Sequence, residues 1–86
     1  MKKDKNPQLI ALGEKIRKLR EESGLSQEEF AAQVGLDRSY YGGIERGERN
    51  LSSLNLIRIA STLQREVGDL FPTISYLKIV DKSKFD

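Results

Sequence analysis

The stretch that decides the fold spans residues 27–46 and reads QEEFAAQVGLDRSYYGGIER. Its apolar residues fall at helical spacing around a glycine, and they are Phe30, Val34, Leu36, Tyr41 and Ile44. Two short helices that cross at about 90–120° over a tight turn need a small residue where they approach, and a glycine in the turn. Ala31 and Gly35 stand at those two places. The stretch therefore predicts two crossed helices that share one apolar face.

Capping residues indicate where these two helices begin and end. Ser26 is followed three residues later by Glu29, a spacing typical of a capping box in which each side chain accepts an amide at the helix start. Asp37 is the N-cap candidate of the next helix, which closes at Gly47. The caps thus predict one short helix on each side of the glycine turn.

Similar signals frame the rest of the chain. Caps and stops stand at Asn6-Pro7, Gly24, Ser52 or Ser53, and Pro72. Apolar residues recur at helical spacing before Gly24 and again after Ser52, and a short fifth turn lies around residues 67–71. The sequence therefore predicts an all-α domain of five helices over residues 7–72. Residues 73–86 form a tail whose apolar residues suit a strand as well as a short helix.

Composition narrows the classes of function. The 86 residues include no cysteine and no histidine, so disulfides, thiolate metal sites and the commonest general base are excluded. We expect no metal, no cofactor and no enzyme, because no base of suitable pKa accompanies the serine and acidic residues. No apolar run approaches the roughly 18 residues of a membrane span, so we expect a cytosolic protein without membrane contact. The net charge of +2 is compatible with nucleic-acid binding but does not indicate it.

The pattern of residues 27–46 resembles the helix-turn-helix of the Xre/Cro family of bacterial and phage DNA-binding repressors. Flanking sequence extends the resemblance: Arg20 in the first helix, the segment GIERGERN at 43–50, and DLFP at 69–72. The matching part covers residues 9–71. The resemblance implies a lambda-repressor-like domain whose third helix enters the major groove of double-stranded DNA.

In such a domain the outward residues of the third helix are Arg38, Ser39, Gly42, Gly43 and Arg46. The planar fork of Arg38 can pair with guanine O6 and N7, and its alternatives are a phosphate contact or a solvated charge. Ser39 is expected to read a base edge weakly. Gly43 stands where many family members carry a long polar reader, so direct readout is lost there. Close approach to DNA, or tight helix packing, would explain the Gly42-Gly43 pair.

Contacts to the DNA backbone are expected around the third helix, and they include Gly43. The resemblance implies a phosphate clamp at Gln27, for which a solvated polar side chain is the alternative. Tyr40 points sideways, toward a phosphate or a thymine methyl group. In the loop after the third helix we expect phosphate contacts from Arg46, Arg49 and Asn50. Arg49 is also able to reach a base or the minor groove, and simple solvation is the alternative for the loop.

Two further predictions concern structure and not DNA contact. The resemblance implies an ion pair between Arg20 and Glu45 that is neither catalytic nor primarily DNA-binding. Tyr41 occupies an inward place of the pattern, so we expect its ring in the core and its hydroxyl at the surface.

Apolar residues remain after the fourth helix, in a chain whose core is predicted to be filled by helices one to four. Such a row predicts a homodimer interface built from Leu70, Phe71, Ile74, Leu77 and Ile79. A two-fold dimer matches a palindromic operator with half-sites about 34 Å apart. The chain has no room for an effector domain, so we expect no small-molecule effector and regulation through concentration or a protein partner.

The segment LDRSYYGGIERGERN at 36–50 is most similar to the controller proteins of restriction–modification systems, small dimers that regulate the endonuclease gene and their own. Its Leu-Asp-Arg opening and its Gly-Ile-Glu-Arg run carry the likeness. Both motifs also occur in phage repressors and in antitoxins, and these two classes remain alternatives. An antitoxin would use the tail to bind a protein partner.

Overall fold

The computed structural model describes residues 6–73, and in this range the backbone forms four α-helices followed by one 3-10 turn. The elements are α1 (Pro7–Glu22), α2 (Gln27–Val34), α3 (Arg38–Glu45), α4 (Ser53–Leu63) and the 3-10 turn (Val67–Leu70). No strand occurs within residues 6–73, which confirms the all-α class. The predicted fifth helix is a single 3-10 turn, because Pro72 stops its continuation. In the described part of the chain no helix is long and apolar enough to cross a membrane.

A short polar side chain starts each α-helix by accepting a hydrogen bond from a backbone amide that the helix itself leaves unpaired. These N-caps are Asn6, Ser26, Asp37 and Ser52. In the predicted capping box, the Ser26 amide donates to Glu29 Oε1 at 2.9 Å and the Glu29 amide donates to Ser26 Oγ at 3.0 Å. The hydrogen bond from the Ser26 amide lowers the pKa of Glu29 below its ordinary value. Local cap chemistry thus sets the helix starts where the sequence predicts them.

The helices α2 and α3 meet around two aromatic rings. The ring centroids of Phe30 and Tyr41 lie 5.2 Å apart, and both side chains are fully buried. The turn between the helices closes at Gly35 with a left-handed φ of +90°, and the amides of Gly35 and Leu36 both donate to the Ala31 carbonyl at 2.9 Å. The other large, fully buried side chains are Ile16, Ile44, Ile59 and Leu70. The crossed pair is therefore the centre of the core.

Leu70 differs from the prediction, because it is fully buried in the core of this domain and is not available to a dimer interface. Leu70 packs into the core cluster from the 3-10 turn, which contacts α1 and α4, so helices one to four do not form the core alone. Phe71, the next residue, is 41% exposed. The other predicted interface residues lie outside the described residues, and they are Ile74, Leu77 and Ile79.

The helix α1 crosses the end of α3 at Gly13. A Cβ atom on Gly13 would lie 2.4 Å from the carbonyl oxygen of Ile44 and 2.5 Å from that of Glu45. A second close approach follows at Gly47, where a Cβ would lie 2.6 Å from the Cα of Ile10. No side chain fits either gap, so the backbones of α1 and of the end of α3 are in direct contact. This contact fixes where α3 ends and where the next loop begins.

Candidate nucleic-acid interface

The N-terminal turn of α3 presents two exposed polar side chains, Arg38 and Ser39. Asp37 caps the helix immediately before them, and its carboxylate accepts the Tyr40 amide at 3.1 Å. Both predicted base readers are thus accessible to solvent at the N-terminal end of α3.

The middle of α3 differs from the prediction. Gly42 and Gly43 are buried, although the resemblance implies that they face outward. A Cβ on Gly42 would lie 3.1 Å from Nη1 of Arg46, and a Cβ on Gly43 would lie 3.2 Å from Cγ of Arg49. The glycines are covered because the side chains of these two arginines lie over them. A contact between Gly43 and DNA therefore requires Arg49 to move.

The side chain of Arg49 runs back from the loop to the face of Tyr40. The guanidinium carbon lies 5.4 Å from the ring centroid, within the range of a cation–π contact. Tyr40 is half-buried, and its hydroxyl accepts a hydrogen bond of 3.4 Å from Nδ2 of Asn55 on α4. The hydroxyl and the ring of Tyr40, both predicted to contact DNA, thus already have partners within the protein. The hydroxyl bonds to Asn55 on α4, and the ring lies against Arg49.

Arg46 opens the α3–α4 loop (residues 46–52) and pairs with an acid inside that loop. Its Nε lies 3.1 Å from Oε2 of Glu48, and its Nη2 lies 3.2 Å from Oε1. Sequence reasoning gave Glu48 no role, although the alternating charges of Arg46-Gly-Glu-Arg are a signal for such a pair. Asn50, the other predicted loop contact, is exposed.

Glu45 precedes Arg46 but turns into the protein. Its carboxylate accepts Nε of Arg20 at 2.7 Å and Nη2 of the same residue at 3.1 Å, so the predicted ion pair is present and bidentate. Arg20 also donates Nη1 to the carbonyl of Leu25 at 2.8 Å. The hydroxyl of Tyr41 donates to the same carboxylate. That hydroxyl is therefore buried and not at the surface, because Glu45 provides an acceptor inside the core.

Gln27 stands at the start of α2, half-buried, and joins the same group of side chains. Its Nε2 donates to Oε1 of Glu45 at 2.9 Å. Neither prediction for Gln27, phosphate clamp or solvated side chain, includes this bond. A side-chain amide has two N–H groups, so one remains for a phosphate. The residues Arg20, Gln27, Tyr41 and Glu45 are called the Glu45 network below.

The Glu45 network stabilises the ionised carboxylate. Burial alone would raise the pKa of Glu45, but hydrogen bonds from Arg20, Tyr41 and Gln27 outweigh it and hold the pKa below its ordinary value. The bond to Glu45 raises the pKa of Arg20, and burial raises the pKa of Tyr41. Among the described residues no buried side-chain polar atom lacks a partner. In the same range, no group of three acidic residues could hold a metal ion.

Two large apolar side chains on α4 are exposed and were absent from the predicted sites. Leu54 is 55% exposed and Ile57 is 53% exposed. They lie three residues apart and so share one face of the helix. The signal for them was available, because both fall off the inward stripe of α4, which comprises Leu56, Ile59, Ala60 and Leu63.

Two short helices crossed over a glycine turn, with the first turn of the second helix exposed, have the geometry of a helix-turn-helix domain. Proteins of this class place the second helix of the pair in the major groove of double-stranded DNA.

Comparisons with known proteins agree with this geometry. The helix-turn-helix family model matches residues 16–70. Control protein C.MunI from Mycoplasma sp is 50% identical over 66 residues, which cover 76% of this chain and 89% of that protein. The restriction-modification controller protein C.AhdI from Aeromonas hydrophila has 49% identity and a TM-score of 0.72, over 73% of this chain and 96% of that one. The biofilm master regulator SinR, crystallised in complex with DNA, has 33% identity and a TM-score of 0.66, over 69% and 95%.

This chain belongs to the helix-turn-helix family of DNA-binding transcriptional regulators, and its close relatives are restriction–modification control proteins. The predicted resemblance is thereby confirmed at both levels, the Xre/Cro-type domain and the controller proteins.

Proposed function

We propose that this protein regulates transcription as a homodimer that binds a palindromic operator through α3. The regulated genes are those of a restriction–modification operon, including the gene of the regulator itself. It acts in the cytoplasm, by binding and not by catalysis, and it needs neither a cofactor nor a small-molecule effector. The names of the relatives C.MunI and C.AhdI support this assignment.

The observation that carries the proposal is the exposed first turn of α3 on a helix whose other end is held rigidly. Gly13 fixes that end against α1, so the position of Arg38 is set by the packed core. A guanidinium fork on a rigid element is suited to bidentate pairing with a guanine. Arg46 and Arg49 add positive charge beyond the helix, where phosphates flank the groove.

Selection of bound duplexes from a random pool tests the proposal. We expect a palindromic consensus with half-sites about one helical turn apart. Replacing Arg38 by alanine should cost about 1–3 kcal/mol on that consensus and flatten the preference at one base pair. The matched control is Arg65→Ala, which removes an exposed arginine from the loop after α4. Equal losses for Arg38→Ala on consensus and random duplexes would contradict base reading by this residue.

Backbone binding is assigned to Gln27, Tyr40, Arg46, Arg49 and Asn50. Each phosphate that a basic residue neutralises contributes about −0.9 to the slope of log K against log salt concentration. The double variant Arg46→Ala, Arg49→Ala should therefore bind with a slope shallower by about 2. An unchanged slope would remove both arginines from the backbone contacts.

The dimer interface is assigned to the exposed apolar residues that the structure describes, Leu54 and Ile57 on α4 and Phe71 after the 3-10 turn. Large apolar side chains with about half their surface in water favour burial against a second copy. The tail after Thr73 is proposed to add to the same interface. Two linked recognition helices raise the affinity for a palindrome through effective concentration, without any new contact within one half-site.

Sedimentation at low micromolar concentration separates these contributions. We expect the full chain to be a dimer, Ile57→Asp to be a monomer, and a chain that ends at Thr73 to dimerise more weakly. Gln33→Asp places the same charge on an exposed position of another helix, α2, and should remain dimeric. A monomeric full chain that still binds a full palindrome cooperatively would refute the proposed interface.

A further inference from the structure

The α3–α4 loop carries an acid between two arginines that are assigned to DNA phosphate. Glu48 holds the guanidinium of Arg46 through a two-point contact, Nε to Oε2 at 3.1 Å and Nη2 to Oε1 at 3.2 Å. Arg49 follows directly in the sequence. The acid thus cancels one of the two positive charges on this part of the proposed interface.

Glu48 is anchored and does not hang freely in solvent. Its backbone amide donates to the carbonyl of Gly43 at 2.8 Å, which ties it to the C-terminal end of α3. Its side chain is largely covered, while most of the Arg46 side chain is exposed. In this ion pair, the exposed arginine is therefore the side chain that can move to bind another anion.

A carboxylate and a phosphate compete for the same face of a guanidinium. Both are anions that accept parallel N–H bonds from the arginine fork, and the edge formed by Nε and Nη2 is already engaged by Glu48. A DNA phosphate that takes this edge exchanges one charge-assisted pair for another. Because the pair with Glu48 has to be broken before the pair with phosphate forms, its free energy is lost from the affinity for DNA.

We propose that Glu48 is an internal competitor of the DNA backbone: it occupies Arg46 in the free protein and lowers the affinity for every DNA sequence. This inference rests on the proposed DNA-binding function and specifies how its strength is set. Because Glu48 acts on a phosphate contact and not on a base reader, operator and random duplexes are affected by the same factor.

The test is the neutral, isosteric variant Glu48→Gln, titrated against the selected operator and a random duplex. We expect both affinities to rise by a similar factor, about three- to tenfold at low salt, and the gain to shrink as salt is added. The control Glu66→Gln removes the same charge from the loop after α4 and should change affinity by less than about twofold. An affinity that is unchanged, or that falls, would overturn the proposal, since Glu48 would then support Arg46 and not compete for it.

A second variant separates competition for Arg46 from a general repulsion of DNA. In the background Arg46→Ala, the proposal expects Glu48→Gln to change the affinity by less than about twofold, because the contested arginine is gone. A gain as large as in the parent would overturn the proposal. Absence of DNA binding by the parent protein would instead refute the proposed function, so the two failures are distinguishable.

Discussion

Glu45 and Arg46 are neighbours at the end of α3, and each belongs to a two-point ion pair, but the two pairs differ in burial. In the pair of Arg20 with Glu45 the side chains are 9% and 2% exposed. In the pair of Arg46 with Glu48 they are 56% and 16% exposed. One step along a helix thus separates a pair enclosed by protein from a pair that faces water.

The difference shows that burial, and not charge, decides the task of an ion pair. Arg20 and Glu45 are desolvated, so the charge of each is stabilised only by the other and by the hydrogen bonds around them. This dependence joins α1, α2 and α3. Arg46 keeps its access to water, so its pairing with Glu48 contributes little to folding and is open to exchange. In the proposed function, the buried pair holds α3 in place and the exposed pair faces the DNA.

The largest expected effect comes from the same substitution made in each pair. Glu45→Gln removes the charge that compensates buried Arg20 and should lower the free energy of unfolding by about 3 kcal/mol. Glu48→Gln, its matched control, should change stability by less than about 0.5 kcal/mol. Urea denaturation followed by circular dichroism measures both. Similar losses in the two variants would break the contrast.

Acid should act on the buried pair in a defined direction. The pKa of Glu45 is lower in the folded protein than its ordinary value of 4.5, so the unfolded chain takes up the proton first as the pH falls. The ionised Glu45 carboxylate therefore contributes its full stabilisation above pH 4.5, and this contribution is lost as the pH falls toward the lower pKa of the folded protein. Unfolding free energies at pH 3 to 7 should therefore fall less steeply in Glu45→Gln than in the parent. The variant keeps the contribution of Glu29, whose pKa is also lowered.

Gln27 bonds to the buried carboxylate of Glu45 and is also proposed to contact DNA, so its substitution tests whether one residue serves both stability and binding. Gln27→Ala removes a hydrogen bond to the buried carboxylate, which should cost about 1–2 kcal/mol of stability and also weaken binding to all DNA. Gln33→Ala, on the exposed side of the same helix, is the control and should cost less than about 0.5 kcal/mol. If Gln27→Ala weakens DNA binding with no loss of stability, the residue is a phosphate clamp alone.

The smallest expected effect on stability concerns the outer face of α3. Gly43→Ala should stabilise the protein by up to about 1 kcal/mol, because alanine favours helix and the nearest atoms to its Cβ belong to flexible side chains, Arg49 at 3.2 Å and Glu48 at 3.8 Å. The same change should weaken DNA binding by displacing Arg49. Gly68→Ala, where a Cβ meets nothing within 4 Å, is the control for binding. A clearly destabilised Gly43→Ala would mean that the glycine serves packing.

The sequence predicts the features that depend on near neighbours and fails where distant parts of the chain meet. The cap at Ser26 and the turn at Gly35 follow from residues within one helical turn, and both lie where the pattern places them. The role of Gly13 depends on a carbonyl of residue 44, and no local signal announces it. The sequence pattern places Leu70 in a dimer interface because residue spacing does not show how many side chains the core needs. That number depends on how all the helices pack together.

The site divides in the same way. The exposure of Arg38 could be predicted, because the apolar residues of α3 mark its inner face and Arg38 lies on the opposite, outer face. The bond from Gln27 on α2 to Glu45 on α3, and the covering of Gly43 by Arg49 of the α3–α4 loop, are contacts between different elements. Side chains as long as arginine choose among several partners within reach, and a linear pattern does not rank them.

The covered glycines of α3 have a consequence for how such regulators diverge. Above Gly42 and Gly43, the surface that solvent meets consists mainly of the side chains of Arg46 and Arg49, which belong to the α3–α4 loop and are not part of the core. Substitutions at a few loop positions can therefore change that surface, while residues such as Gly13, which allow α1 to pack against α3, have to be kept. Duplicated copies of one gene would in this way acquire different overall affinities for DNA early, before their folds drift apart.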